Sequence, residues 1–166
     1  HPRYIIPWYA EDGSIVGYQA RAFGDEKPKY YSIILDKTKP KIFGLDKIDW
    51  SRRVYVTEGP IDSLFISNCV AVGDSALHKF NDSRAVAITY VLDNENRNRE
   101  ILKEYVKLIN AGKEVCMMPE HWKYKDINEA VMDGVSVERI KQVIDENTFK
   151  DLTAKIMFSK WKKVEV

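Results

Sequence analysis

Glu58 directly follows the apolar run Val54-Tyr55-Val56-Thr57, and Asp93 directly follows the longer run Ala85 to Leu92. Glu95 stands two residues beyond Asp93, and Asp126 comes after a fourth apolar run, Glu114 to Met118. Two carboxylates two residues apart in an extended turn lie on the same side of the chain, where a hard cation can bridge them. Held close together without one, they repel by several kcal/mol at low effective dielectric, so the spacing suits a divalent cation. Mg²⁺ fits best, because it accepts a few carboxylates and keeps water positions that phosphate oxygens can take. Each acid also has an ordinary structural role open to it. Glu58 can cap a following helix, Asp93 with Asn94 can form a turn, and Asp126 with Glu129 three residues on has the spacing of a capping box.

These acids need a scaffold that brings strand ends together. Val54–Thr57, Cys69–Val72, Ala85–Leu92 and Glu114–Met118 are short, apolar and partly β-branched, as strands buried on both faces of a parallel sheet are. Between them lie helical patterns. One starts near Pro60 with Ile61, Leu64 and Phe65 on one face, and one carries Ile101, Leu102, Tyr105, Val106, Leu108 and Ile109 to a stop at Gly112. The second strand is expected to end at Gly73-Asp74-Ser75. Strands alternating with helices make a parallel doubly wound sheet, in which ligands bind outside the carboxyl ends of the strands. Residues placed directly after those strands are thereby aimed at one crevice. Further helices are expected at about 126–132, 137–145 and 149–162, with Gly134 ending the first and Ser136 capping the second.

Upstream, Tyr4–Tyr9 and Ile15–Phe23 around Gly13 read as two strands joined by a turn, with Pro7 placing the first on an edge. Tyr30–Leu35 adds a third, and Lys37–Lys41 is a basic connector. The 166 residues suffice for one compact α/β domain with a small lobe. The expected division is a β-rich lobe over 1–52, a catalytic domain over 53–134 and a helical segment over 135–166. Net charge is +1, but unevenly spread: residues 1–53 carry ten Lys/Arg against seven Asp/Glu, and residues 150–166 five against two, leaving the middle at −5. An acidic centre between basic ends suits a metal site beside a polyanion. Cys69 and Cys116 lie apart in apolar surroundings without zinc-ligand spacing and are expected to be reduced core residues of a cytoplasmic protein. No apolar stretch approaches the roughly 20 residues of a membrane span. With His1 where an initiating Met would stand, the sequence is expected to be a fragment.

The run Val54 to Leu64, containing Glu58-Gly59 and then Asp62, resembles the glutamate motif of Toprim domains. Val91-Leu92-Asp93-Asn94-Glu95 is similar to their Asp-x-Asp motif, and Lys125-Asp126-Ile127-Asn128-Glu129 resembles the later Asp-containing motif of primases. Gly17–Arg21, Pro28–Tyr30 and Ile42–Leu45 resemble the segments that precede Toprim in bacterial-type primases, and the wording of 58–65 and 91–95 is most similar to primases of T-even-type bacteriophages. The resemblance covers nearly the whole chain in order. Glu95 stands where many Toprim proteins have Asp, keeping a carboxylate on a longer arm. Asn128 stands where bacterial primases commonly have a second Asp, removing a charge.

The resemblance implies a Toprim fold, a Rossmann-like, mainly parallel four-stranded sheet with flanking helices, and the catalytic core of a DNA primase. Such an enzyme makes short RNA primers on single-stranded DNA from ribonucleoside triphosphates. Glu58, Asp93 and Glu95 would be catalytic and would hold Mg²⁺, or Mn²⁺, with Asp126 and Asp62. Arg21, Lys29 and Lys41 fall on motifs matching the basic lobe and are the candidate nucleotide and template contacts. Tyr30 and Trp8 are candidate stacking residues. The implied partners are single-stranded template, triphosphates and a replicative helicase, in the cytoplasm of an infected bacterium. The family's zinc belongs to an amino-terminal ribbon whose cysteines are absent here, so start-site selection is expected to reside elsewhere. His78 and His121 read as surface or structural residues. The amphipathic terminal segment with Ile156, Met157, Phe158 and Trp161 reads as packing on the domain, with helicase contact as the alternative. A Toprim nuclease using the same acids and a non-catalytic nucleic-acid-binding module are the competing readings. The lobe with Arg21 and Lys29 separates them, since a bare nuclease has no need of it.

Overall fold

The structure, a computed structural model, describes residues 2–73 and 76–166. The expected turn at Gly73-Asp74-Ser75 therefore lies partly outside the described residues. Strands β1 (Arg3–Tyr9), β2 (Ile15–Ala22) and β3 (Tyr30–Ile34) form an antiparallel sheet in that order, which makes β1 with Pro7 an edge strand. Gly17 is required on β2, because a Cβ there would lie 2.3 Å from the Ile33 carbonyl oxygen of β3. Trp8, Ala10 and Val16 are buried in a small cluster of this sheet, with the partly buried Ile34 and Phe43 packed against them.

The larger sheet has six strands: β4 (Ile42–Phe43), β6 (Cys69–Val72), β5 (Val54–Thr57), β7 (Ile88–Val91), β8 (Glu114–Cys116) and β9 (Thr148–Phe149), in that spatial order. The four central strands are parallel, as the alternation of apolar runs and helices predicts. Two short antiparallel strands are added at the edges, β4 on β6 and β9 on β8. Their two-residue length carries no periodic signal. Pairing covers the exposed hydrogen-bonding rows that the outer parallel strands would otherwise present. The tail from 135 onward thus contributes a strand as well as helices.

Helices α2 (Arg99–Asn110) and α5 (Asp151–Trp161) pack on one face of the sheet. Helices α3 (Ile127–Met132) and α4 (Val137–Glu146) pack on the other, beside the single turn α1 (Pro60–Ser63). The period-2 geometry of β5 explains why a continuous apolar run is needed: Val54 and Val56 enter the α2/α5 core while Tyr55 enters the α3/α4 core. Ser136 and Asp126 cap their helices as expected, each accepting a hydrogen bond from the backbone N–H three residues on. Helix α1 is shorter than predicted. It ends at Ser63, whose hydroxyl donates to the Pro60 carbonyl, and Leu64 is 65% exposed, not on the buried face. β7 likewise begins only at Ile88, leaving Val86 exposed in the approach to the strand. Both cysteines are free and buried, and burial raises their thiol pKa values. Among the described residues no helix is long and apolar enough to cross a membrane.

Candidate active site

β5 and β7 are hydrogen-bonded neighbours, with Thr57 paired to Val91, so the residues after them emerge side by side at the carboxyl edge of the sheet. Glu58 and Asp93 line one narrow cleft there with Asp62 and Asp126. Asp62, on α1, accepts a hydrogen bond from the Asn128 backbone N–H at 2.9 Å, which ties α1 to the start of α3. Asp126 accepts from Glu129 N–H at 2.7 Å, while the Glu129 carboxylate reaches back to the Lys125 N–H at 2.5 Å, one residue further than in the usual capping box. Glu95 faces an adjoining cavity of about 270 Å³ that Glu58 and Asp93 also line. Lys125 joins the two groups, its Nζ 3.8 Å from Asp93 and 3.7 Å from Glu95.

Three of these carboxyls, Asp93, Glu58 and Asp62, are held where ionisation is disfavoured. Burial raises the pKa of Asp93 to about 7, with the charges of Glu58 and Asp62 adding to it and Lys125 opposing. Burial raises Glu58 and Asp62 as well. A hydrogen bond from the Asp93 backbone N–H pulls Glu58 the other way, and the nearby charges of Glu95, Glu104 and Asp62 push it further up. Burial pulls Lys125 down, but Glu95 and Asp93 outweigh it and leave its pKa raised. One carboxyl oxygen of Glu58, Oε1, is buried without a hydrogen-bond partner. Among the described residues no three His, Cys, Asp or Glu groups stand close enough to enclose an ion as they lie. Even so, a buried, unpartnered carboxylate oxygen beside a second carboxyl that resists ionisation is a donor set that a divalent cation satisfies, by offsetting the charge and completing the missing interaction.

Tyr30 of the basic lobe is near enough to these acids to feel their charge: burial raises its phenol pKa, Arg21 lowers it, and Asp62 and Asp126 add smaller increases. The Arg21 guanidinium lies 5.7 Å from the centroid of the Tyr30 ring. Lys29 sits just before β3, where its carbonyl accepts from the Ala22 N–H. Lys41 is placed differently, against the indole of Trp8 at 5.2 Å and beside Gly73. Trp8 is fully buried and so has no face free for a base, which removes it as a stacking candidate. His78 is structural, as expected: its backbone N–H and ring Nδ1 both meet the buried Glu104 of α2.

Sequence reasoning gave Asn94 only a turn with Asp93, although it stands between the two singled-out acids. Its side chain donates to the carbonyls of Trp122 and Tyr124 at 3.0 and 3.1 Å, and its backbone N–H to that of Lys125 at 2.6 Å. One residue thus fastens the loop bearing Lys125 and Asp126 to the end of β7. Asn94→Ala is expected to lower the melting temperature by about 4–8 °C, as loss of two partly buried hydrogen bonds worth about 1 kcal/mol each requires. An unchanged thermal melt would show that the loop is held by other means.

No family model matches the chain. It is 36% identical over 170 residues to the DNA primase of Enterobacteria phage T4, covering 98% of this chain and 48% of that protein. It thus spans about half the length of the curated relative that it matches. A DNA primase domain from Pseudomonas aeruginosa superposes with a TM-score of 0.70 at 19% identity, covering 95% of this chain and 54% of that one. A DnaG primase catalytic domain bound to single-stranded DNA gives 0.68 at 13%, covering 93% and 54%. The chain is a homologue of the DNA primase of phage T4 over about half of that protein's length, and it has the Toprim-type fold of primase catalytic cores.

Proposed function

We propose that this chain is the catalytic core of a DNA primase, joining ribonucleoside triphosphates into short RNA on a single-stranded DNA template. The observation that carries the reading is the pair Glu58 and Asp93, two desolvated carboxyls at adjacent strand ends in a homologue of a phage primase. Glu58, Asp93 and Glu95, with Asp62 and Asp126, would hold Mg²⁺ or Mn²⁺. When bound, the cation supplies charge neutralisation for the triphosphate and lowers the barrier to attack by a 3′-hydroxyl. The protein's own contribution is placement: neighbouring strand ends fix Glu58 and Asp93, Asn94 fixes the loop of Asp126, and burial keeps water from screening the charges. Lys125 is positioned to share the negative charge of the centre. Residues 1–52, with Arg21, Lys29, Lys41 and Tyr30, act as the lobe that meets nucleotide and template, and a replicative helicase is the expected working partner.

Incubation with labelled ribonucleotides, Mg²⁺ and single-stranded templates tests the reading. Extended products are expected; degradation of the template would instead establish a nuclease, and neither outcome a binding module. Arg21→Ala is expected to reduce the efficiency of incorporation by roughly 10- to 100-fold, the worth of one charge-assisted phosphate contact, with no change in melting temperature. Full activity in that variant would remove Arg21 from the site.

A further inference from the structure

The acidic cleft does not end at Trp122. Asn94, Met118 and Trp122 also line a groove of about 330 Å³ on the side of the sheet away from the basic lobe, between the chain leaving β8 and the end of α5. Its other walls include Met117, Met157 and Trp161, and Lys160, Lys163 and the acid Glu120 border it. The end of α5 is fastened there, because the Lys163 backbone N–H donates at 2.9 Å to the carbonyl of Asn96, one residue past Glu95. A basic helix end is thereby brought against an acidic turn. Lys160 pairs with no acid among the described residues, and Lys163 makes only a loose pair with Glu120 at 3.7 Å, both side chains being exposed.

Building on the primase reading, we propose that this groove binds single-stranded nucleic acid, continuing the path of the strand beyond the acidic centre. Three features of the molecule favour that occupant. The half-buried Trp122, Met157 and Trp161 offer aromatic and thioether surface that accepts the faces of unpaired bases without regard to sequence, with Met117 and Met118 buried behind them. Lys160 and Lys163 border the same groove and supply cations for a phosphate backbone. The groove also shares three residues with the acidic cleft, so a strand engaged at the centre enters it without a break. The uneven charge of the chain gains a spatial meaning: the basic amino-terminal lobe and the basic end of α5 lie on opposite sides of the acidic middle. An apolar protein segment would use the same walls but would gain nothing from Lys160, which pairs with no acid among the described residues.

The test is binding of a fluorescently labelled oligo(dT) by the whole chain, followed by anisotropy over a range of salt, with Lys160→Glu/Lys163→Glu and Trp122→Leu as variants. The charge-reversal pair keeps the backbone hydrogen bond to Asn96, and its circular dichroism and melting temperature are expected to match the native chain. Its dissociation constant is expected to rise at least about tenfold at low salt, and its salt slope to fall by roughly 1.4, the loss of two single-strand phosphate contacts. Trp122→Leu is expected to weaken binding about fivefold or more, as loss of one stacked base does, and to remove most of the quenching of tryptophan fluorescence by the oligonucleotide. Native affinity and salt slope in a folded charge-reversal variant would overturn the proposal and leave the groove to an apolar protein partner. The two readings fail separately. A native chain that incorporates nucleotides but binds DNA without regard to these lysines loses the groove alone. A chain whose DNA binding depends on them but which incorporates nothing loses the primase reading alone.

Discussion

Asp93→Asn is expected to reduce nucleotide incorporation by at least about a thousandfold, as loss of a central charge-organising group does, while raising the melting temperature of the metal-free protein at pH 8. The two effects have one cause. Asp93 is ionised at pH 8 in a place where burial and the charges of Glu58 and Asp62 disfavour ionisation. A pKa moved from 3.8 to about 7 corresponds to roughly 4 kcal/mol of native-state cost once the group is charged. Asn keeps the shape and removes the charge, and with Glu58 and Asp62 still in place it recovers about half of that, or roughly 5 °C for a chain of this size. A catalytic carboxylate that destabilises its own fold is distinguishable in this way from a structural one, whose loss lowers both activity and stability. A folded Asp93→Asn protein with native incorporation would remove the centre from the mechanism, and a lower melting temperature would mean that Asp93 serves the fold.

The second large effect is a dependence of stability on pH that the cation reverses. In chelator, thermal unfolding is expected at its highest temperature near about pH 5 and several degrees lower at about pH 8. Asp93, Glu58 and Asp62 all have raised pKa values in the folded chain. For an acid shifted upward, the stabilising contribution is complete below the unfolded value and is lost as pH rises through the folded value, here between about 4 and about 7 for Asp93. Groups shifted downward act oppositely below that window. Hydrogen bonds from Arg84 lower Glu11 and Asp82, and contacts with His78 lower Glu104 against its burial, so their contributions disappear as pH falls through their folded values. Millimolar Mg²⁺ is expected to restore the melting temperature at pH 8 and to do little at pH 5, where protons already hold the oxygens that it would take. A metal-free melting temperature that climbs steadily from pH 5 to 8 is the outcome that this electrostatic account does not survive.

Much of this architecture is written locally. Val54–Thr57 has to be a strand buried on both faces, because its residues serve two cores, and the amphipathic stripe of α2 fixes the face that it buries. Ser136 and Asp126 begin their helices because their side chains accept the orphan backbone donors. Glu58 and Asp93 were legible as a pair for a topological reason: parallel neighbours release their following residues at one edge. Other features lack a local signature. Two-residue edge strands such as β4 and β9 are too short for periodicity and exist only because a longer neighbour offers unpaired backbone. Leu64 reads as a buried position until the chain leaves α1 after one turn toward β6.

By itself, then, the sequence determined the order of strands and helices, the strand-end placement of the acids and the charge contrast between the middle and the ends, because each depends on neighbours within a few residues. Only the tertiary structure decided which groups share a solvent-poor volume. It set Lys125 between Asp93 and Glu95, used Asn94 to fasten a loop about 30 residues away, buried Trp8 and left Tyr30 near the acids. It also carried the end of α5 to the turn after Asp93. Desolvation and charge coupling depend on distances through space between residues remote in the chain, and no local pattern encodes those distances.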